Sequence, residues 1–443
     1  MKYLIIYILI YHLALQQSVS DQLDSYMQAQ TDYRLFSGVV LVAKDNQIIL
    51  KKAYGMANDS LSIANTVHTK FRLASLTKSF TALLLFKLQK RGLLSINDPL
   101  SGYIPDYPRG NEITLNQILH HTSGIPDLLQ YQGFWQSLDH YVSAEEALRL
   151  FKDKPLDFEP GSRWQYSNSG YIVLGYIIEK LTGKSYFAAL KHYVLDPLEM
   201  ADTGFESDSL IEEIGASGYQ EQDGQRQRMA YVQMSINHAA GALYSTVDDM
   251  YKWDRAFYPG AFLSAAEIDT LLTPGLNAYG WGWGILPMHN RFQTKQVFMN
   301  GRFSGFAANI SRYPQRNACV IVLSNLMTIN PQLIADNLAA ILFGQDVIAP
   351  MERKAVALDA TQLKIFEGNY QFPEMNGLQI QVFFENGFLY RRISGQPDMK
   401  LVPRSANSFF YEDRDVDLSF SKTDGAYEMI LNLNGQRFSG KRS

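Results

Sequence analysis

The sequence predicts an α/β fold, a largely antiparallel sheet with helices, followed by a separate C-terminal antiparallel β-barrel. Three observations predict it. Strand-like runs stand at both ends of a helix-rich middle. Long apolar runs of helical length start behind polar residues and stop at glycine. From Phe366 onward helical periodicity disappears, and short alternating runs are split by hairpin dipeptides.

Taken in order, Lys2 precedes a mostly apolar segment from Tyr3 to Leu15, and Ser18-Val19-Ser20 supplies small residues before Asp21. Residues 1–20 read as a secretory signal, too short for a membrane span, with an uncleaved anchor as the competing reading. Two β patterns, Gly38–Lys44 and Gln47–Ala53, are split by Asp45-Asn46. A helix follows Ser75, with basic Lys90 and Arg91 in its last turn and Gly92 as its stop. Residues 94–162 form a mixed region rich in turn residues. A second helix is expected from about Tyr171 to Leu181, ended at Gly183, and a third behind Ser245-Thr246, where Asp248 and Asp249 suit a helix N-terminus. Strand runs Phe306–Arg312 and Ala318–Ser324 precede a helix around Pro331–Leu342.

Composition shifts near Ala349-Pro350. Beyond it, Asn376-Gly377, Asn386-Gly387, Asp424-Gly425 and Asn434-Gly435 are hairpin signals, so a meander closed into a barrel is expected. The expected organisation is therefore a leader at 1–20, a main domain at 21–349 and a barrel domain at 350–443.

Charge and cysteine content exclude several classes. The net charge is −4 with both signs interspersed, so neither a nucleic-acid surface nor a polybasic membrane patch is expected. No stretch after the leader approaches the ~18 uninterrupted apolar residues of a span. The one cysteine, Cys319, forbids an intramolecular disulfide and lies in a buried-strand pattern, a core position. The eight histidines form no H-E-x-x-H and no Cys/His cluster, so no metal is expected. His120-His121 read as capping and packing residues, and Tyr279, Trp281 and Trp283 as core side chains in a strand-like segment, with cleft lining as the alternative. No G-x-S-x-G elbow is present.

Ser75-Leu76-Thr77-Lys78 is the most informative stretch. On a helix, Ser75 and Lys78 are neighbours at i and i+3, where an amine can deprotonate a hydroxyl. A helix-start serine without chemistry remains the alternative. Ser419 and Lys422 repeat the spacing inside an alternating run, where the pair points to opposite faces and cannot cooperate. Downstream, Tyr166 and Asn168 are two apart behind the Pro160-Gly161 turn and can face one cleft. A lysine ammonium beside Tyr166 would lower the phenol pKa and make it a base. The alternative is that Asn168 or Ser169 caps the following helix while Tyr166 is buried.

With S-x-x-K and Y-x-N in this order, the chain resembles the serine β-lactamase and penicillin-binding protein superfamily. It is most similar to the branch of class C β-lactamases, D,D-carboxypeptidases, D-aminopeptidases and family VIII esterases. The phrases FRLASLTKSF, ILHHTSGIPD, YSNSGYIVLGYIIEKLTG, LDPLEMADTGF, AAGALYSTVDDM and YGWGWG carry the resemblance from about Leu35 to Leu342. The C-terminal part resembles a lipocalin-like module on its hairpins and on Ile393-Ser394-Gly395-Gln396-Pro397.

The resemblance implies a β-lactamase-like fold, an antiparallel sheet flanked by helices plus an all-helical region. It implies Ser75 as nucleophile, Lys78 as base partner, Tyr166 as proton relay and Asn168 as substrate holder. The third family motif, K-T-G or H-x-G, falls on Met299-Asn300-Gly301, followed by Arg302. Asn300, Gly301 and Arg302 are thereby implied in substrate binding, with the Arg302 N–H joining that of Ser75 in an oxyanion hole. Met299 stands where a cation or imidazole would bind a carboxylate, and Arg302 is either its substitute or a solvated surface residue. The expectation is a secreted, periplasmic serine hydrolase for a small-molecule or short-peptide substrate, with no cofactor. The alternative is a cell-envelope binding or sensing protein that keeps the fold without catalysis.

Overall fold

The computed structural model describes residues 17–205, 215–222, 225–260, 262–288, 291–347, 350, 354–375, 377–394, 396–411, 414–423, 425–433 and 436–442. Most of the expected leader, the boundary residue Ala349 and the turn residues Asn376, Asp424, Asn434 and Gly435 lie outside the described residues. The central sheet has six strands: β1 (Gly38–Lys44), β2 (Gln47–Tyr54), β3 (Gly284–Leu286), β4 (Gln296–Phe303), β5 (Phe306–Tyr313) and β6 (Ala318–Ser324). Their order is β3-β4-β5-β6-β1-β2, with every pairing antiparallel. β1 meets β6 in the register Gly38↔Ser324 to Lys44↔Ala318.

β1 and β6 read as continuous apolar runs because both faces of the sheet are covered. Val39, Leu41, Cys319, Ile321 and Leu323 join one buried cluster, and Val40, Val42, Val320 and Val322 join the other. Period-2 alternation alone produces that division.

Among the described residues, five helices reach ten residues: α1 (Val19–Asp32), α2 (Thr77–Lys90), α3 (Asn168–Thr182), α4 (Val247–Ala256) and α5 (Pro331–Leu342). α1 and α5 cover one face through Leu23, Met27, Ile334 and Leu338. Ser18 caps α1, so the expected leader end at residue 20 overlaps its first two residues. α2 and α4 cover the other face, and α2 is buried along almost its whole length, from Phe80 through Leu88. Each such leucine or phenylalanine removed from water contributes about 1.5–3 kcal/mol. α4 is fastened to the sheet by a buried ion pair: Arg312 Nε donates to Asp254 Oδ1 at 2.6 Å, both side chains being fully buried.

The region expected to be mixed holds short helices, Leu115–Leu119 and Ala144–Arg149, each opened by a capping box (Thr114 with Gln117, Ser143 with Glu146). The segment with Tyr279, Trp281 and Trp283 is not a strand; its glycines form a loop in which both tryptophans are buried in the core.

A closed barrel of eight strands ends the chain: β7 (Gly368–Phe372), β8 (Leu378–Glu385), β9 (Phe388–Arg392), β10 (Met399–Pro403), β11 (Ser408–Tyr411), β12 (Arg414–Thr423), β13 (Ala426–Leu433) and β14 (Gln436–Arg442). Pairing of Tyr370 with Arg442 joins the last strand to the first. Alternate residues such as Tyr370, Phe372, Ile380, Val382, Leu418 and Phe420 fill the interior as a cluster of their own. Asn386 (φ 48°) and Gly387 (φ 88°) make the expected tight turn between β8 and β9. Ser419 and Lys422 both lie on β12, three apart in a strand.

Candidate active site

Ser75 lies in a short turn, Ala74–Leu76, that runs straight into α2. Ala74 holds φ 46°, a left-handed conformation that costs alanine about 1 kcal/mol or more. The turn is held on one side by Leu73 N–H donating to Leu243 O at 2.8 Å and on the other by β4. Lys78 follows one turn later and is fully buried. Its Nζ lies 3.2 Å from Ser75 Oγ, 2.7 Å from Asn168 Oδ1 and 2.9 Å from Ala240 O. Burial disfavours the ammonium and brings its pKa down to about 7, against the opposing pull of the Asp127 carboxylate.

Tyr166 and Asn168 enter from the start of α3. Ser167 is the N-cap, its Oγ accepting from Gly170 N–H at 3.4 Å, so neither Asn168 nor Ser169 caps the helix. That frees the Asn168 side chain, whose Nδ2 donates to Asp127 Oδ2 at 3.0 Å and so aims Oδ1 at Lys78. The Tyr166 ring lies under Lys78, with Nζ 4.8 Å from its centroid, and the phenol is hydrogen-bonded with Ser75. Its pKa is raised, contrary to the expected phenolate: burial outweighs the hydrogen bond from Ser75 that acts the other way. Tyr166 is a neutral phenol, and the group tuned to neutral pH is the lysine.

β4 forms the opposite wall. A Cβ on Gly301 would meet Leu73 O at 2.0 Å and Ser75 N at 3.1 Å, so only glycine lets the strand approach the turn. Met299 is buried and lines the cleft. Asn300 turns its amide to Gln332 Oε1 (3.1 Å) and accepts from Asn309 (2.8 Å), in a network that continues to the half-buried carboxyl of Asp336. The Arg302 guanidinium donates to Ile329 O. The cleft between these walls has a volume of about 540 Å³ and is lined by Ser75, Tyr166, Gly301 and Arg302 beside Trp164, Tyr279, Ile285 and Phe298.

The structure thus brings Ser75, Lys78, Tyr166 and Asn168 together, with Asn300, Gly301 and Arg302 on the facing strand. Tyr279 lines the cleft, whereas Trp281 and Trp283 are core. His121, expected only to pack, sits with its ring 4.4 Å from that of Tyr166. Sequence reasoning missed Asp127 and the Ala240 carbonyl. Asp127 closes the phrase ILHHTSGIPD, and a carboxylate directly behind Ile125-Pro126 was its signal. A backbone carbonyl leaves no trace in a sequence. Among the described residues, no group of three or more His, Cys, Asp or Glu side chains is arranged to hold a metal ion.

Comparison with known proteins agrees with this architecture. The family model described as Beta-lactamase matches residues 21–345. Penicillin-binding protein 4* of Bacillus subtilis (strain 168) is 27% identical over 457 residues, covering 97% of this chain and 100% of the relative. The octameric penicillin-binding protein homologue from Pyrococcus abyssi superimposes with a TM-score of 0.68 at 25% identity, over 95% of this chain and 99% of that one. D-amino acid amidase from Ochrobactrum anthropi SV3 shares the fold, with a TM-score of 0.59 at 24% identity over 69% of this chain and 91% of its own. The family match covers the sheet, the helices and the whole cleft, and this chain belongs to the beta-lactamase family.

Proposed function

We propose that the chain is a serine hydrolase that works through an acyl-enzyme on Ser75, acting on an ester, amide or D-amino-acid peptide of small size. One observation carries the reading, the environment of Lys78 Nζ. Two of its three partners, Asn168 Oδ1 and Ala240 O, can only accept. A neutral amine has two N–H groups and one lone pair. With both N–H groups committed to those oxygens, the lone pair is left for the Ser75 hydroxyl proton.

In this mechanism Lys78 takes the Ser75 proton as Oγ attacks the carbonyl carbon. The oxyanion is held by the backbone N–H groups of Ser75 and Arg302, which Gly301 allows to come together. As the tetrahedral species collapses, Tyr166 gives its proton to the leaving group and recovers one from Lys78. Water then attacks the acyl-enzyme, loses a proton to the same pair, and Ser75 is released. Asn168 fixes Lys78 and offers its second amide proton to the substrate carbonyl. Asn300 steadies β4 through Gln332 and Asn309.

Met299 gives the cleft no charge at the position where the family binds a carboxylate, which supports neutral acyl donors over penicillins. The same methionine is what favours a non-catalytic binding protein, the second reading. Hydrolysis of a short-chain p-nitrophenyl ester, measured beside Ser75→Ala, separates them. Turnover lost in the variant supports acyl transfer, and equal rates in both would sink it. Mass spectrometry after treatment with an acylating reagent should find the adduct on Ser75; no adduct anywhere favours the binder.

The proposed organisation is a leader at 1–20, a hydrolase domain at 21–349 and a barrel domain at 350–443, in a secreted, periplasmic protein. The separate buried cluster of the barrel supports the last boundary. Among the described residues no helix is long and apolar enough to cross a membrane. N-terminal sequencing of the protein recovered from the periplasm tests the leader.

A further inference from the structure

Lys78 Nζ rests on two acceptors, Asn168 Oδ1 and Ala240 O, and α3 bears on both. Asn168 opens that helix, and Gly175 and Glu179 follow it on the same face by about two and three turns. This face meets a single helical turn, His238–Gly241. Ala242 N–H donates back to His238 O at 3.0 Å, and the next two carbonyls are left to partners on α2. Thr81 Oγ1 donates to Ala239 O at 2.6 Å, and Lys78 Nζ to Ala240 O at 2.9 Å.

The turn is entered through His238 at φ 38° and ψ −129°. That is close to the first central residue of a II′ turn, a glycine position, and a residue with a Cβ stays there only where its surroundings hold it. His238 is 4% exposed, and its Nε2 lies 3.3 Å from Glu179 Oε1. Burial raises the Glu179 pKa, but the bonds from His238 and from Tyr186 N–H bring it below the ordinary carboxylate value. An ionised carboxylate can only accept, so the proton of the contact is on Nε2. Tyr186 packs its ring 5.1 Å from that of His238 and joins its hydroxyl to Thr81 Oγ1 at 2.7 Å. A Cβ on Gly175 would meet His238 Nδ1 and Ala239 Cβ, each at 2.5 Å, so glycine lets the turn settle against α3.

We propose that His238 is a positioning residue: pinned by Glu179, its ring holds the turn in the strained conformation that carries the Ala240 carbonyl to Lys78 Nζ. This deepens, and rests on, the reading of Lys78 as the base for Ser75. Without the pin, a residue other than glycine relaxes to negative φ. Ala240 O then leaves Lys78, and the amine lone pair is no longer aimed at the Ser75 hydroxyl.

The test separates ring from backbone. His238→Ala removes the pin and keeps the strain, whereas His238→Gly removes the same ring and the strain with it. His238→Ala should lower kcat on a p-nitrophenyl ester about 10-fold to 100-fold with little change in KM, and His238→Gly should recover most of that loss. Equal losses in the two variants, or wild-type kcat in His238→Ala, would overturn the pin. Glu179→Ala should behave as His238→Ala does, and Glu179→Gln, which still accepts from His238, should stay close to wild type. A loss in Glu179→Gln as large as in Glu179→Ala would assign the effect to charge and overturn the positioning role. A readout free of turnover is the titration of Lys78, followed by NMR of protein carrying isotope-labelled lysine. A buried ammonium that loses an acceptor gives up its proton more readily, so the titration should move to lower pH in His238→Ala and return in His238→Gly. The titratable groups that face Lys78, namely Asp127, His121, Tyr166 and Tyr171, stay in place in every variant. Those that face His238 are Glu179 and Tyr186. A Lys78 titration unmoved by His238→Ala sinks the pin alone, and ester hydrolysis that survives Ser75→Ala sinks the acyl-transfer reading alone. Thermal melts check the folding of each variant, and Glu179→Ala supplies the comparison if His238→Ala does not fold.

Discussion

Lys78 is fully buried, and in the proposed mechanism its proton decides when the site can turn over. In that reading, below its pKa of about 7 all three ammonium protons are donated and Ser75 has no base. Above it, the lone pair is available. The pH profile of kcat/KM should therefore rise on the acid side with an apparent pKa of about 7 and then level off. A profile flat from pH 5.5 to 9 would show that Lys78 is not the base. Asp127 holds the lysine pKa up, so Asp127→Asn should move that limb to lower pH, since asparagine still accepts from Asn168 but carries no charge. A shift to higher pH would contradict the assignment. Residue types at this scale were readable, because Ser75 and Lys78 are local neighbours on a helix. The sign of the Tyr166 shift was not, because its burial comes from residues distant in sequence, such as His121 and Lys78. Nor was Asp127, which meets Asn168 across 41 positions.

At the scale of elements, β4 matters through a missing side chain. Gly301→Ala would push a methyl group into Leu73 O and part β4 from the Ser75 turn. The expected loss in kcat is about 100-fold to 1,000-fold, the cost of one misplaced oxyanion donor. Circular dichroism should stay native, and a variant with wild-type kcat would rule the close approach out as a requirement. The Asp254–Arg312 pair serves stability instead. Asp254→Ala strands a buried guanidinium and should cost about 3–5 kcal/mol in denaturant melts. Elements with strong periodicity or caps were legible: β1, β2, β5, β6, α4 and α5 lie within a residue or two of expectation. α3 begins three residues early because Ser167, an ordinary-looking serine, takes the cap. β3 was missed because three residues without alternation become a strand only by pairing with β4.

For the molecule as a whole, the cleft and the barrel draw on different residues. Every residue lining the cleft precedes Leu342, and the barrel buries its own cluster. A protein truncated after residue 347 should therefore keep ester hydrolysis within about 3-fold of the full chain if the domains fold independently. Loss of folding on truncation, read by thermal melting, would show that the barrel is needed for the body's stability. The two-part plan was legible because long helical runs stop before residue 350 and hairpin dipeptides crowd together after it. The strand order was not, since pairing across 280 positions leaves no local mark.

That pairing has a kinetic consequence. β1 is made early, but its neighbour β6 comes only at residues 318–324, so the sheet cannot close until nearly the whole body has been synthesised. Closing so long a loop is entropically costly and comes late on the folding path. Ser75 and Lys78 will be joined by α2 long before Gly301 reaches them, which leaves the proposed nucleophile without the strand that lines its cleft. Recovery of activity in refolding should accordingly lag the recovery of helical signal, and the chain stays chemically silent until it is structurally complete.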